Sequence, residues 1–265
     1  MYKTKNSARL NPFFSIVITV LNGNQHVVNC LEKMRAQSFE NFELVIIDGG
    51  SKDGTVSSIK NIALNNVNLD VMPGIGLYEG LNAGVEASKG EWLYFMGIDD
   101  EFYDNNVLRN VNRHILDSTS KYEVLVGHVY YPRQDFIFKP TLGSPYMVRH
   151  KVHHQGMFYK RDIFNEIRYN EKYKISSDYE LNLRLSLKGV KHKYFNLLMA
   201  RIGEDGISNT QVENSSRELH KIHASVFKGI AKVWVTNYFK ALRSILLFRQ
   251  KHGLTNLKKR IKNFF

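Results

Sequence analysis

Phe42-Glu43-Leu44-Val45-Ile46-Ile47-Asp48-Gly49-Gly50-Ser51-Lys52-Asp53-Gly54-Thr55 is the stretch that decides the fold. Its β-branched apolar run, 42–47, predicts a strand buried on both faces. The run stops at an acid and two glycines, and a helical pattern through Val56, Ile59 and Ile62 follows. The same alternation continues on either side. Upstream, 13–20 predicts a strand and 25–37 a helix capped from Asn22–Asn24. Downstream, 69–72 predicts a strand, 78–88 a helix and 92–96 a strand that ends at Gly97-Ile98-Asp99-Asp100. Strands alternating with helices imply an α/β fold with a mostly parallel central sheet and right-handed crossovers. Ligands of such sheets lie beyond the carboxyl ends of the strands, where glycines and carboxylates collect in this chain.

The texture changes after residue 105. Strands are predicted at 123–127, 128–131 and 136–139, separated by turns, then helices near 160–167 and 177–187, and a strand near 191–200. Beyond Asn209 the pattern is helical and basic. The 265 residues carry 37 Lys and Arg against 25 Asp and Glu, a net charge of +12. That imbalance is local: residues 1–216 have a net charge of +1 and residues 217–265 a net charge of +11. The single cysteine, Cys30, excludes a disulfide framework and a cysteine-based zinc site. The apolar run 13–21 is too short and polar-flanked for a secretory leader, and no stretch of 18 apolar residues predicts a membrane span.

Four places could carry chemistry. Asp48 at its strand end could accept a hydrogen bond from a base or ribose while Gly49 and Gly50 let a ligand approach; the alternative is an ordinary turn in which Ser51 or Asp53 caps a helix. Asp99 and Asp100 repel one another and suit a hard divalent cation bridged to a diphosphate, or else the exposed start of a helix. Asp178, in Ser177-Asp178-Tyr179-Glu180, is either a helix cap or a general base below a cleft. His153-His154-Gln155 does not suit zinc, since adjacent side chains diverge on regular structure, but one histidine could face a cleft. Gly74, Gly76 and Gly80 are one residue too widely spaced for a dinucleotide loop and follow the third strand, which excludes a nicotinamide dehydrogenase; no phosphate-binding Gly-x-x-x-x-Gly-Lys-Ser/Thr loop occurs.

In their order these stretches resemble glycosyltransferase family 2, the inverting GT-A enzymes that use nucleotide sugars. The resemblance runs over about residues 13–208, through Ser15–Asn22, Ile46–Thr55, Gly76–Gly84, Gly90–Asp100, His154–Phe158 and Ser177–Leu181. It implies a GT-A fold whose residues 1–105 form the nucleotide-sugar half and 106–208 the acceptor half with the base. It implies nucleotide-sugar contacts from Thr19, Asn22, Asp48, Gly49, Gly50, Tyr78, Asn82 and Asp99. It further implies Mn²⁺ or Mg²⁺ held by Asp99 and Asp100, with Asp100 the more direct ligand, and a donor or acceptor pocket with His154, Gln155 and Glu180. Asp178 matches the family's base. The chain departs from the family pattern at Gly49, Gly74, Ile98 and Ser177.

Residues 209–265 lie outside the resemblance. Leu219, Ile222, Val226, Phe227, Ile230, Val233 and Trp234 recur at helical spacing among lysines, the pattern of basic amphipathic helices at anionic membrane surfaces. The expectation is therefore a peripheral enzyme on the cytoplasmic, inner face of the cell membrane. It would transfer sugar from a nucleotide diphosphate sugar to a lipid-linked or saccharide acceptor, with no nucleic acid as partner. The competing readings are a nucleotidyltransferase on a related fold, for which the Gly-rich N-terminal loop is missing, and a non-enzymatic polyanion- or nucleic-acid-binding protein acting through the tail.

Overall fold

The computed structural model describes residues 11–62, 64–118, 121–140, 152–203 and 211–227. The chain divides into two compact units, Met1–Gly206 and Ile207–Phe265. The first unit holds one sheet. Its strands are β1 (Phe14–Val20), β2 (Phe42–Asp48), β3 (Val67–Val71), β4 (Trp92–Gly97), β5 (Glu101–Phe102), β6 (Val124–Tyr131), β7 (Phe136–Phe138), β8 (Met157–Lys160) and β9 (His192–Arg201). Its helices are α1 (Asn24–Arg35), α2 (Thr55–Asn61), α3 (Leu77–Ala87), α4 (Val107–Leu116) and α5 (Ser177–Leu187). The strand order is β3-β2-β1-β4-β8-β6-β9-β5, with β7 on β6. β3, β2, β1 and β4 are parallel; β8 runs antiparallel to both β4 and β6, and β6 is parallel to β9. The domain is thus an α/β fold with a mostly parallel sheet, and its two expected halves share that sheet across residue 105.

The unbroken apolar strands are explained by two covered faces. Ile16, Ile18, Leu44, Ile46, Tyr94 and Met96 meet Val27, Leu31 and Met34 of α1 and Val107, Leu108 and Val111 of α4. The intervening Val17, Val45, Ile47, Leu93 and Phe95 meet Tyr78, Leu81 and Val85 of α3 and Leu181 and Leu185 of α5. Alternate residues of a strand point to opposite faces, so each strand feeds both cores. The strand order reverses between β1 and β4, since the chain runs outward from β1 to β2 and returns across β1 to β4; that reversal is where open α/β sheets place their ligand crevice. Thr19 pairs with Ile47 on one side and Gly97 on the other, so the ends of all three strands lie level.

Several expectations need correction. The two strands at 123–127 and 128–131 are one, β6, whose register shifts at His128; the irregularity beside Gly127 is what makes the pattern look broken. The helix near 160–167 is the end of β8 followed by a short 3₁₀ turn, Arg161–Asn165. The helix α4 and the short β5 and β8 come in addition to the elements read from sequence. The second unit contains α6 (Val212–Val226), which carries an Arg217–Glu213 ion pair one turn apart at 2.8 Å. The rest of the expected tail, from residue 228 on, lies outside the described residues. Among those described, no helix is long and apolar enough to cross a membrane.

Candidate active site

At the end of β2 the chain folds into a loop tied to the turn after β1. Asp48 is fully buried; its Oδ1 accepts hydrogen bonds from the backbone N–H of Gly50 and Ser51, both at 2.8 Å, and its Oδ2 is buried with no hydrogen-bond partner. Gly50 adopts φ +93°, a left-handed conformation that a side chain would strain, and a Cβ there would lie 2.9 Å from Pro73. Asn22, itself at φ 52°, donates its N–H to Ser51 Oγ at 2.7 Å and accepts from Lys52 N–H through Oδ1 at 2.9 Å. Asp53 accepts from the Thr55 hydroxyl at 2.5 Å and from Asn24 N–H at 3.0 Å, which together hold its carboxyl below the usual range. Asn22, Asp48, Gly49 and Gly50 therefore meet at the ends of β1 and β2, next to Thr19. The cap of α2 is Gly54 at φ 94°, with no side-chain cap, so neither Ser51 nor Asp53 takes the capping role read from sequence; Asp53 accepts from Thr55 N–H at 3.1 Å from one residue further out.

Asp99 and Asp100 follow β4. Asp100 is buried, accepting from Gly97 N–H and Gln155 Nε2 on Oδ2, both at 2.9 Å, and from Gly203 N–H on Oδ1 at 2.8 Å. Burial, and after it the charge of Asp99, still push its carboxyl up. Asp99 is the more exposed of the two, and Asp100, read as the more direct metal ligand, is the more buried and the more firmly held. Gly203 has no room for a side chain, since a Cβ there would run into the Asp99 carboxylate. Two adjacent carboxylates, one buried and short of compensating charge, are hard oxygen donors suited to a divalent cation. Among the described residues no cluster of three or more acidic, histidine or cysteine side chains forms a metal site complete in itself.

Asp178 opens α5, with its side chain about a quarter exposed at 28%. Tyr78 Oη lies 3.1 Å from its Oδ1, and His154 Nδ1 lies 3.1 Å from its Oδ2. Tyr78 also donates to the Ile175 carbonyl at 2.7 Å, and burial followed by the Asp178 charge keeps its phenol protonated, well above the ordinary tyrosine range. Tyr78 thus stands beside the carboxylate of α5 rather than in the Asp48 corner. His154 comes from a 3₁₀ turn, His154–Gly156, in which the next residue, Gln155, reaches Asp100. The rings of His153 and His154 are nearly parallel, 5.6 Å apart at 17°, where divergence was expected; the turn begins at His154, so regular helical or strand spacing does not apply.

Two expected site residues are engaged elsewhere. Asn82 donates to the Tyr169 carbonyl at 3.0 Å and to Glu171 at 2.8 Å, and accepts from Tyr169 N–H at 3.0 Å. These bonds make Asn82, read as a nucleotide-sugar contact, a bridge between α3 and residues 169–171. Glu180 is buried and pairs with Arg184 at 2.8 Å. Two residues along a helix project about 200° apart, so Glu180 faces away from Asp178. Gly203 was missed, and nothing local distinguishes it; its signal is a contact 103 residues away in sequence.

Residues 15–179 match the family model described as "Glycosyl transferase family 2". A PGL/p-HBAD biosynthesis glycosyltransferase of Mycobacterium bovis is 31% identical over 232 residues, covering 84% of this chain and 89% of its own. An uncharacterized glycosyltransferase of Rickettsia typhi is 25% identical, covering 92% and 81%. Among solved structures, Staphylococcus aureus TarS 1–349 in complex with UDP-GlcNAc superposes with a TM-score of 0.66 at 18% identity, over 85% of this chain and 71% of that one. The mannosyltransferase PcManGT from Pyrobaculum calidifontis, in complex with GDP-Man and Mn²⁺, does so with a TM-score of 0.64 at 15% identity, over 92% and 81%. These two likenesses bear on the fold, which is the GT-A arrangement.

Proposed function

Since the chain belongs to glycosyltransferase family 2 and is a transferase acting with nucleotide-sugar donors, we propose that it inverts the anomeric centre of its donor with Asp178 as general base. The observation that carries this reading is the Asp178 carboxylate at the head of α5, flanked by Tyr78 and His154. Asp178 takes the proton of the acceptor hydroxyl as that oxygen attacks the anomeric carbon from the face opposite the diphosphate. Attack from that face inverts the centre. The Asp48 corner takes the nucleoside: the orphaned Oδ2 is a carboxylate oxygen lacking a donor, which a base N–H would supply. Thr19, Asn22, Gly49 and Gly50 shape that corner, and Gln155 orients Asp100. Asp99 and Asp100 would hold Mn²⁺ or Mg²⁺. When bound, that ion neutralises charge on the departing nucleoside diphosphate.

Calorimetry with UDP, dTDP and GDP tests the donor side. Affinity for one of them should rise by about tenfold or more on adding Mn²⁺, a gain of roughly 1.4 kcal/mol. Binding indifferent to the ion would count against the metal-assisted reading.

The acceptor we infer is a lipid-linked saccharide or glycolipid presented at the inner face of the cell membrane. The support is the net charge of +11 on residues 217–265 beside a nearly neutral body, together with apolar residues at helical spacing. The mycobacterial relative is itself named for PGL/p-HBAD biosynthesis. Full-length protein should cosediment with phosphatidylglycerol vesicles at 0.1 M salt and dissociate at about 0.5 M, as screening shortens the reach of the charges. Indifference to such vesicles combined with tight binding of duplex DNA would instead favour the polyanion-binding alternative.

A further inference from the structure

We propose that His154 is a positioning residue of the reaction: its Nδ1 holds Asp178 and sets the direction in which the carboxylate's lone pairs meet the acceptor hydroxyl. The inference rests on the reading of Asp178 as base. A carboxylate in the first turn of a helix can rotate about two side-chain bonds, and a base must point its lone pair at the proton it takes. Tyr78 and His154, from other elements, reach Asp178. Tyr78 has one hydroxyl proton and two acceptors, and the Ile175 carbonyl at 2.7 Å is nearer than Asp178 Oδ1 at 3.1 Å. Of these two, His154 has the less divided hold: its Nδ1 lies 3.1 Å from Oδ2.

The imidazole is itself held firmly. It lies nearly parallel to His153, whose ring meets Tyr131 at 80° and Phe138 at 68°. The turn that carries it is closed by Gly156 N–H donating to the His153 carbonyl at 2.8 Å, and Tyr94 Oη donates to the Gln155 carbonyl at 2.5 Å. Gly156 is pressed against β6 so closely that a Cβ would lie 2.8 Å from the Gly127 carbonyl oxygen. One rigid turn thus touches Asp178 through His154 and Asp100 through Gln155. It ties the side of the crevice that accepts the proton to the side that receives the diphosphate.

The test compares His154→Phe, His154→Asn and Asp178→Asn in the full chain with Mn²⁺. It uses whichever of UDP-glucose, UDP-N-acetylglucosamine, dTDP-glucose and GDP-mannose wild type hydrolyses fastest to the free nucleoside diphosphate. Phenylalanine keeps the stack on His153 but cannot donate; kcat should fall about 30-fold with donor KM within about twofold. Asparagine places an amide N–H near the Nδ1 position, and should recover kcat to within about fivefold of wild type. His154→Phe within about threefold of wild type, or His154→Asn as slow as His154→Phe, overturns the inference while an inactive Asp178→Asn leaves the base in place. A large rise in donor KM in His154→Phe overturns it too, by making His154 a donor contact. Full turnover in Asp178→Asn removes the base assignment and this inference with it.

Discussion

Asp178→Asn is expected to lower turnover by about 10²- to 10⁴-fold, the range a positioned general base contributes. Asparagine has the same shape and keeps an acceptor for Tyr78, but its amide has no basic lone pair to take the acceptor's proton. The position is partly exposed, and Glu180 still supplies a negative charge in the first turn of α5. The loss of one acid near that helix start costs less than about 1 kcal/mol, so the fold should persist. Affinity for the nucleoside diphosphate should stay within about twofold, because Asp178 makes no contact with the Asp48 corner among its described bonds. Product formation and calorimetry on the same preparation measure both. Turnover within about threefold of wild type would show that another group takes the proton.

Gly90→Ala is expected to destabilise the first unit by about 3 kcal/mol, the upper part of the overpacking range. Gly90 connects α3 to β4, where a Cβ would lie 2.5 Å from Ser15 N and 2.7 Å from the Phe14 carbonyl carbon. Those are backbone atoms of β1, which is hydrogen-bonded to β2 on one side and β4 on the other and has nowhere to move. The same displacement breaks a small network: Gly90 N–H donates to Ser15 Oγ at 2.8 Å, and Ser15 Oγ donates to Glu43 at 2.6 Å. For a unit of this size the melting temperature should fall by about 6–12 °C. A fall of less than about 2 °C in a thermal melt would mean that the connection can open without disturbing β1.

The parallel half of the sheet was legible because its signals are local. β1, β2 and β4 are short β-branched or aromatic runs, β1 closed by Asn22-Gly23 and β2 and β4 by glycine and acid, and α5 begins at the Ser177-Asp178 step as expected. What was not legible depended on distant partners. Gly127 looks like a strand end, yet β6 continues through it because Met199 and Gly156 fill the space beside it. Asn82 and Glu180 match a family pattern, but their polar atoms are engaged by Tyr169, Glu171 and Arg184, partners that no spacing rule connects to them. Tyr78 was picked out, but its proximity to a carboxylate 100 residues later is a product of α3 and α5 packing on the same face of the sheet. The charge imbalance was also readable without structure: it belongs to the tail, and the crevice is built from carboxylates.

The hold on Asp100 has a consequence for the order in which the protein is made. Its three donors are Gly97, already at hand, Gln155, 55 residues later, and Gly203, 103 residues later. At about 5–20 residues per second, a ribosome takes roughly 5 to 20 seconds to travel from Asp100 to Gly203. During that interval β1 to β4 can already pair, while the buried carboxylate lacks its last amide. The nascent chain can therefore pair its parallel strands first, and it completes the hold on Asp100 only when the first unit is almost finished.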